Sequence, residues 1–396
     1  MGEYFFFFLF TLLVVAIILG EDYVFTLLYL FFGAFIFGRW WGQRTLSALQ
    51  VRRSFTNRAF LGEKIRVSLQ VSNRGWLPVP WLHLRESLPH EVYPLGHYQR
   101  VTSLGPKGSL SVEYEVDCRK RGYYPIGPLE MFSGDVLGVV STQARAEKPQ
   151  HLTVYPRIIP LSGINLPSFA PLGTLRHRQP IFEDPSRVRG KRDYVSGDSL
   201  RRVDWKASAI TGRLQVKLFE PSIALETAIF LNLNTAEFDL RSRFDAAELA
   251  IIVAASLANW IVSVRQAVGL ATNGHDPQAD CQTPPAVPPR RGRGHLLRIL
   301  DVLARIQAAE SEPLVALLQR EMHNLTWGTT LIVITNRIDT ALFDGLFQAR
   351  RRGLNAFLLQ VGPTSGYNEI RRKAEYFGFP IHQVLNEKDL DVWRRN

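Results

Sequence analysis

Two uncharged apolar runs open the chain, residues 4–20 and 23–38, separated only by Glu21 and Asp22. Nothing else in the sequence restricts the fold as strongly. A helix needs about 20 apolar residues to cross a hydrocarbon core, with ~17 as the lower limit, and each run approaches or meets that length. A buried helical hairpin of a soluble protein would carry a polar stripe, and Phe5, Phe6, Phe7 and Phe8 leave no room for one. A cleaved secretory leader fits poorly, because Glu3 stands where a basic residue belongs and a second apolar run follows. The expectation is a two-span transmembrane hairpin over residues 1–44, with Trp40 and Trp41 in the interfacial belt. Arg39, Arg44, Arg52 and Arg53 lie just beyond the second span. By the positive-inside rule they place the rest of the chain on the cytoplasmic side of the cell's inner (plasma) membrane.

From Leu46 the pattern changes to short alternating runs. Residues 67–72 have strict period two and end in the turn Asn73-Arg74-Gly75; residues 81–86 and 110–116 alternate again, with Tyr114 on the side of Val112 and Val116. This grammar predicts a small β-sandwich over residues 45–156. His83, His90 and His97 are evenly spaced, but strands and loops do not repeat at seven and no carboxylate cluster accompanies them, so no metal site is expected there. A proline-rich linker is expected over residues 157–186. Beyond Glu220, apolar runs at 227–233, 267–272, 330–335 and 356–361 alternate with helical patterns at 244–264, 296–307, 314–323, 342–352 and 367–377. That alternation predicts a parallel sheet with helices on both faces, over residues 187–396. Asp239 or Ser242 would cap the first of these helices. Residues 277–294, with Pro284-Pro285, Pro288-Pro289 and three arginines, read as a disordered surface insertion or a polyproline ligand. The fold class is therefore α+β and multidomain.

The most unusual stretch is residues 187–220, dense in charge yet carrying Tyr194, Val203, Trp205, Leu214, Val216 and Leu218 at near-alternating places. It contains Arg192-Asp193-Tyr194, Gly197-Asp198, Arg201 and Arg202 followed by Asp204-Trp205, then Lys206, Ala207-Ser208-Ala209 and an apolar strand ending at Glu220. This order resembles the signature of the family known as domain of unknown function 58. The arginine that often follows the small residues is replaced here by Ile210, and the next arginine is Arg213. Arg119 to Pro128 and Asp135-Val136-Leu137-Gly138 resemble the same family's Arg-Gly-x-Tyr strand and Asp-x-x-Gly turn. The resemblance implies that the C-terminal half is von Willebrand factor type A-like, a Rossmann-type α/β domain. Such domains often hold a divalent ion on an Asp-x-Ser-x-Ser run after the first strand. Here the matching residues are Asn232, Asn234 and Ala236, which lack the carboxylate and the second hydroxyl, so no metal is expected at this degenerate site. Retention of a site through Asp239 is the alternative. The resemblance also implies a MoxR-type AAA+ ATPase as partner.

The formal net charge of +11 is mostly arginine, clustered at residues 290–293, 350–352 and 371–373. For a tethered chain the anionic inner leaflet is the simplest partner; no nucleic-acid-binding module or basic-aromatic platform is present. Cys118 and Cys281 are far apart and without paired histidines, which suggests reduced thiols. Phosphate-binding glycine motifs and a nucleophile elbow are missing from the sequence. Asp193, Asp198 and Asp204 each have a basic neighbour, which favours paired charges over a shared catalytic proton. No cofactor and no catalysis are expected. The reading is a membrane-tethered, cytoplasm-facing scaffold or adaptor in envelope assembly or maturation, with Arg192, Asp193, Tyr194, Gly197, Asp198, Arg201, Asp204, Trp205 and Lys206 as the partner-binding or interdomain signature. The alternative is a metal-dependent binding domain or hydrolase acting on cell-envelope material.

Overall fold

The computed structural model describes residues 2–134, 141–162, 183–195, 198–199, 202–221, 226–278, 283–364 and 366–393. Gly197, Arg201, Cys281 and the Asp135-to-Gly138 turn lie outside the described residues, as does most of the segment read as a linker. The architecture is mixed α and β, with apolar helices at the N-terminus and several sheets. It divides into two compact units, Met1–Arg157 with Leu300–Ile306, and Ile158–Ile299 with Gln307–Asn396.

The first unit begins with helices α1 (Gly2–Leu19) and α2 (Asp22–Ala48), joined at Gly20, whose φ of 66° suits a residue without a Cβ. Phe8 and Phe31 meet edge to face between them, 5.5 Å apart. Helix α2 continues ten residues past the apolar run, because Gly38, Gly42, Thr45 and Leu46 give its last turns a buried stripe at three- and four-residue spacing. Strands follow: β1 (Leu49–Ser54), β2 (Arg58–Phe60), β3 (Lys64–Asn73), β4 (Val79–Ser87), β5 (His97–Leu104), β6 (Ser109–Asp117), β7 (Gly122–Ile126), β8 (Leu129–Gly134), β9 (Ser141–Glu147) and β10 (Gln150–Tyr155). They form sheets ordered β1-β3-β6, β5-β4-β8-β9 and β2-β10-β7. Period-two alternation sends Val67, Leu69 and Val71 of β3 and Val112, Tyr114 and Val116 of β6 inward. There they join Leu82, Leu84, Leu129 and Met131 from the four-stranded sheet in one apolar cluster.

Arg53 departs from its expected place among the membrane-flanking charges. Its side chain is fully buried, with Nε 2.5 Å from the equally buried Glu86 carboxylate, which also accepts from the Tyr114 hydroxyl. Burial pushes Glu86 up from the ordinary carboxylate range, against the pull of Arg53. Only Arg39, Arg44 and Arg52 of the predicted flank remain exposed. His83 rests on Phe132, and His90 hydrogen-bonds the Pro94 carbonyl.

The second unit opens with a hairpin of β11 (Glu183–Asp193) and β12 (Gln215–Pro221), with helix α3 (Trp205–Thr211) between them. Strand β11 starts inside the segment read as linker, where Glu183 stands opposite Pro221; after a register shift, regular pairing with β12 runs from Gly190 to Asp193. Then come β13 (Glu226–Leu231), α4 (Arg243–Ser263), β14 (Ala267–Thr272), β15 (Val287–Arg290), α5 (Arg293–Arg305, whose residues from Leu300 on count with the first unit), α6 (Leu314–Glu321), β16 (Thr330–Thr335), α7 (Thr340–Arg351), β17 (Asn355–Val361), α8 (Tyr367–Phe377) and β18 (Ile381–Val384). The sheet order is β15-β14-β13-β16-β17-β18, parallel throughout except for β15. Every residue of β14 and β16 is buried, as expected for strands covered on both faces.

Helices α2 and α4 are both long and apolar enough to cross a membrane, but the most apolar window of α4 is 72% buried inside the unit while that of α2 is 11% buried. Alanines 250, 254, 255 and 258 let α4 lie close against the sheet, so it is a core helix. Ser242 occupies its N-cap without a side-chain bond.

Strand β15 corrects the reading of residues 277–294 as a disordered insertion or polyproline ligand. Pro288 and Pro289 lack N–H groups, which an edge strand tolerates. Gly269 makes the pairing fit: a Cβ there would stand 2.7 Å from the Val287 carbonyl and 2.8 Å from the Pro289 nitrogen.

Candidate functional site

Two places in the second unit gather polar side chains. On the β11–β12 hairpin the charges close on one another. Both terminal nitrogens of Arg192 donate to the Asp198 carboxylate at 2.7 Å, and Val195 N–H donates to the same group at 3.0 Å. The guanidinium first and that N–H second hold Asp198 below the usual carboxylate range. Asp204 caps α3, accepting from Ala207 N–H at 3.1 Å, and its other oxygen lies 2.9 Å from Lys191 Nζ. Lys191 and then the capping bond lower its pKa as well. Ser208 Oγ donates to the Asp204 carbonyl and accepts from Gln215 N–H, tying the helix to β12, and Gly212 ends the helix at φ 64°. Asp193 accepts from the Gln215 amide and stands 3.9 Å from Arg213.

Val203 and Val216 form the buried seam beneath this arrangement. Tyr194 is half-buried, its N–H bonded to the Leu214 carbonyl, and Lys206 is exposed. Between these charges stand exposed apolar side chains: Trp205 is 66% exposed, Ile210 80% and Val195 61%.

The second place is the carboxyl end of the parallel sheet, where the strand order reverses between β13 and β16. Asn232 follows β13, Asn273 follows β14, and Thr335 ends β16. Asn232 is wholly buried; its Nδ2 donates to Glu237 Oε2 at 2.7 Å and to Thr335 Oγ1 at 2.9 Å. Its Oδ1 accepts from Asn273 Nδ2 at 2.9 Å and from Asn234 N–H at 3.1 Å. Asn234 Oδ1 in turn accepts from Ala236 N–H at 3.2 Å. Both amide hydrogens of Asn232 thus face oxygens that a cation would otherwise draw together. The donor set does not fit a divalent ion, because an N–H donor stands at the centre and Asn234 is committed to backbone amides. Asp239 does not rescue such a site: it is exposed and accepts from Arg241 N–H. Burial raises the Glu237 pKa, opposed first by the Asn232 amide. A cavity of about 340 Å³ adjoins, lined by Glu237, Asp239, Asn336, Arg337, Thr364 and Ile370 among others.

Residues 190–342, which contain both the hairpin's signature and this amide cluster, match the family model described as protein of unknown function DUF58. The uncharacterized protein YeaD of Bacillus subtilis (strain 168) is 24% identical over 273 residues, 66% of this chain. The chain spans 63% of that relative's length, less than two thirds. Among solved structures, the CARDB domain of the PF1109 protein from Pyrococcus furiosus is 18% identical, covering 27% of this chain and 86% of that one, with a TM-score of 0.21. A β-glucosidase from Listeria innocua is 11% identical over 27% of this chain and 16% of its own, with a TM-score of 0.19. At those TM-scores neither likeness carries fold or function across.

Within the residues that match this family model the structure brings Arg192 to Asp198 and gathers Asp193 and Asp204 around the β11–β12 hairpin. Trp205 points outward from them. Glu237 is the member of the amide cluster that the sequence pattern did not single out. A short 3-10 turn, Thr235–Glu237, swings its carboxylate back under Asn232. The Asn234 side chain accepting from Ala236 N–H, an Asx-type turn, is the local signal that marks it.

Proposed function

We propose that this chain is a membrane-tethered scaffold or adaptor that faces the cytoplasm and grips a protein partner, with no chemistry of its own. The observation that carries this reading is the hairpin surface, where paired charges fix a frame and Trp205, Ile210 and Val195 stand in solvent. An exposed tryptophan on a rigid frame, flanked by apolar side chains that exclude water, is what a protein interface selects as an anchor. The partner implied by the family resemblance is a MoxR-type AAA+ ATPase, acting in envelope assembly or maturation.

Three finer readings belong to the same proposal. Helices α1 and α2 form a two-span hairpin, with the exposed Arg39, Arg44 and Arg52 on the cytoplasmic flank. The strands of the first unit make a β-sandwich, supported by one apolar cluster shared between two antiparallel sheets. The second unit is von Willebrand factor type A-like. Numbering β13 to β18 as strands 1 to 6, the order reads 3-2-1-4-5-6 with only strand 3 antiparallel, which is a Rossmann-type arrangement.

Affinity capture from membranes in the presence of ATP, followed by mass spectrometry, tests the reading. The full chain should retain an AAA+ ATPase, and Trp205→Ala with Ile210→Ala should lose most of it. Equal capture by that variant, or by Asp198→Ala, would show the hairpin to be structural only.

A further inference from the structure

We infer that the junction between α2 and the first unit's sheets is a binding site for the headgroup of an anionic glycerophospholipid. The inference rests on the reading of α1 and α2 as membrane spans. Its own ground is how α2 ends. Counting from Asp22, about 20 residues, or ~30 Å of helix, bring the chain to Trp41 at the edge of the hydrocarbon core. The helix then runs on without a break to Ala48 and is gripped by protein along the way. Trp41 Nε1 donates to the Pro78 carbonyl at 3.2 Å, and Arg74 N–H donates to the Ala48 carbonyl at 3.0 Å. Gly42 lies against Thr142 of β9, so closely that a Cβ would come 3.0 Å from its hydroxyl.

The turn from Asn73 to Pro78 is therefore fastened to α2 at both Trp41 and Ala48, which fixes its height relative to the bilayer. Buried Asn73 holds that turn in shape, its Nδ2 donating to the Leu77 and Gly105 carbonyls at 2.8 and 3.0 Å. At the crest of the turn Trp76 is 68% exposed, beside a helix whose Trp40 is about half exposed, at 48%. An indole offered outward at interface height is what a headgroup layer accommodates.

Behind the turn lies an open groove of about 910 Å³ in which Ser47, Gln50, Ser72, Arg52, Arg74 and Arg145 supply polar lining. From Trp41 to Ser47 is six residues, about 9 Å along the helix, so the groove mouth is within about one Debye length of lipid phosphates. Arg145 is shared with Glu130 at 3.9 Å. Arg52 and Arg74 are exposed and make no ion pair among the described residues. A groove that is polar, cationic and open at the height of the phosphates suits a phosphodiester whose acyl chains stay in the bilayer.

The test uses the full chain in neutral detergent. Thermal unfolding is followed while phosphatidylglycerol or phosphatidylcholine is added at equal lipid fraction, with inorganic phosphate as a third arm. The expected result is stabilisation by phosphatidylglycerol alone, with affinity at least tenfold lower for Arg52→Gln combined with Arg74→Gln, whose side chains are exposed and leave the fold intact. Equal response to both lipids, an unchanged response in the double variant, or full reproduction by millimolar phosphate would each overturn the site. A separate alkaline wash of membranes distinguishes the underlying reading. A chain that stays in the pellet but shows no lipid preference loses this site and keeps its tether, whereas a chain that washes out loses both.

Discussion

Replacing Asn232 by aspartate changes almost nothing in shape and reverses the polarity of the amide cluster. Two N–H donors become acceptor positions, one of them 2.7 Å from the Glu237 carboxylate and the other 2.9 Å from the Thr335 hydroxyl. The Thr335 proton can turn to the new oxygen only by leaving the Arg337 carbonyl it now serves at 3.1 Å. Glu237 loses a hydrogen bond worth about 1.5–3 kcal/mol and gains a like charge at the wholly buried position 232. Together these place the cost at about 3–5 kcal/mol, the range for stranding a buried charge. For a unit of this size that lowers the melting temperature by roughly 6–20 °C. The native state would raise the new carboxylate's pKa above its unfolded value. The deficit is therefore small below about pH 4 and grows as pH rises toward neutrality. A divalent cation, drawing the two carboxylates together, would restore part of the loss in the variant and none in the parent. Thermal melts at pH 7.5, with and without magnesium, read this directly. A variant that melts within about 1 °C of the parent without cation refutes the claim that the amide stands in for a positive charge.

Three further expectations follow from single contacts. Gly269→Ala pushes a methyl group against the Val287 carbonyl and Pro289, and should cost about 1–3 kcal/mol with faster amide exchange in residues 287–290. His295 is buried, Nε2 2.9 Å from the Val268 carbonyl, and burial first, then neighbouring arginines, hold its pKa below the usual value. Its native form binds fewer protons than the unfolded chain, so stability is full above about pH 6.5 and falls as pH drops, by at most about 1.4 kcal/mol per pH unit. His295→Gln should flatten melting between pH 5 and 7. Glu86→Gln takes the buried carboxylate from Arg53, which keeps Glu147 at 3.6 Å and the Lys148 carbonyl at 3.2 Å, and should cost about 1–3 kcal/mol by denaturant titration; a loss below about 0.5 kcal/mol would mean that water reaches the pair.

Periodicity carried much of the second unit. The apolar runs at 267–272 and 330–335 and the helical pattern at 367–377 coincide with β14, β16 and α8, because fully buried strands and amphipathic helices write their pattern locally. Features made by distant partners were not legible. Strand β15 hides behind two prolines and depends on one glycine in another strand. Arg53 and Glu86 are 33 residues apart, and nothing beside either announces a buried pair. The signature's residues were visible as a set, but which cation meets which carboxylate depends on the turn that follows β11 and on the Asp204 cap of α3. The outward turn of Trp205 follows from its place at the start of α3, after the Asp204 cap, which density of charge alone does not reveal.

A photocrosslinking residue placed at Trp205 in the full chain, activated in native membranes with ATP present, tests the central claim most directly. The account predicts a single adduct identified by mass spectrometry as an AAA+ ATPase, absent when the same residue is placed at the exposed Val101 of the first unit. No adduct at Trp205, or the same adduct from both positions, would contradict it.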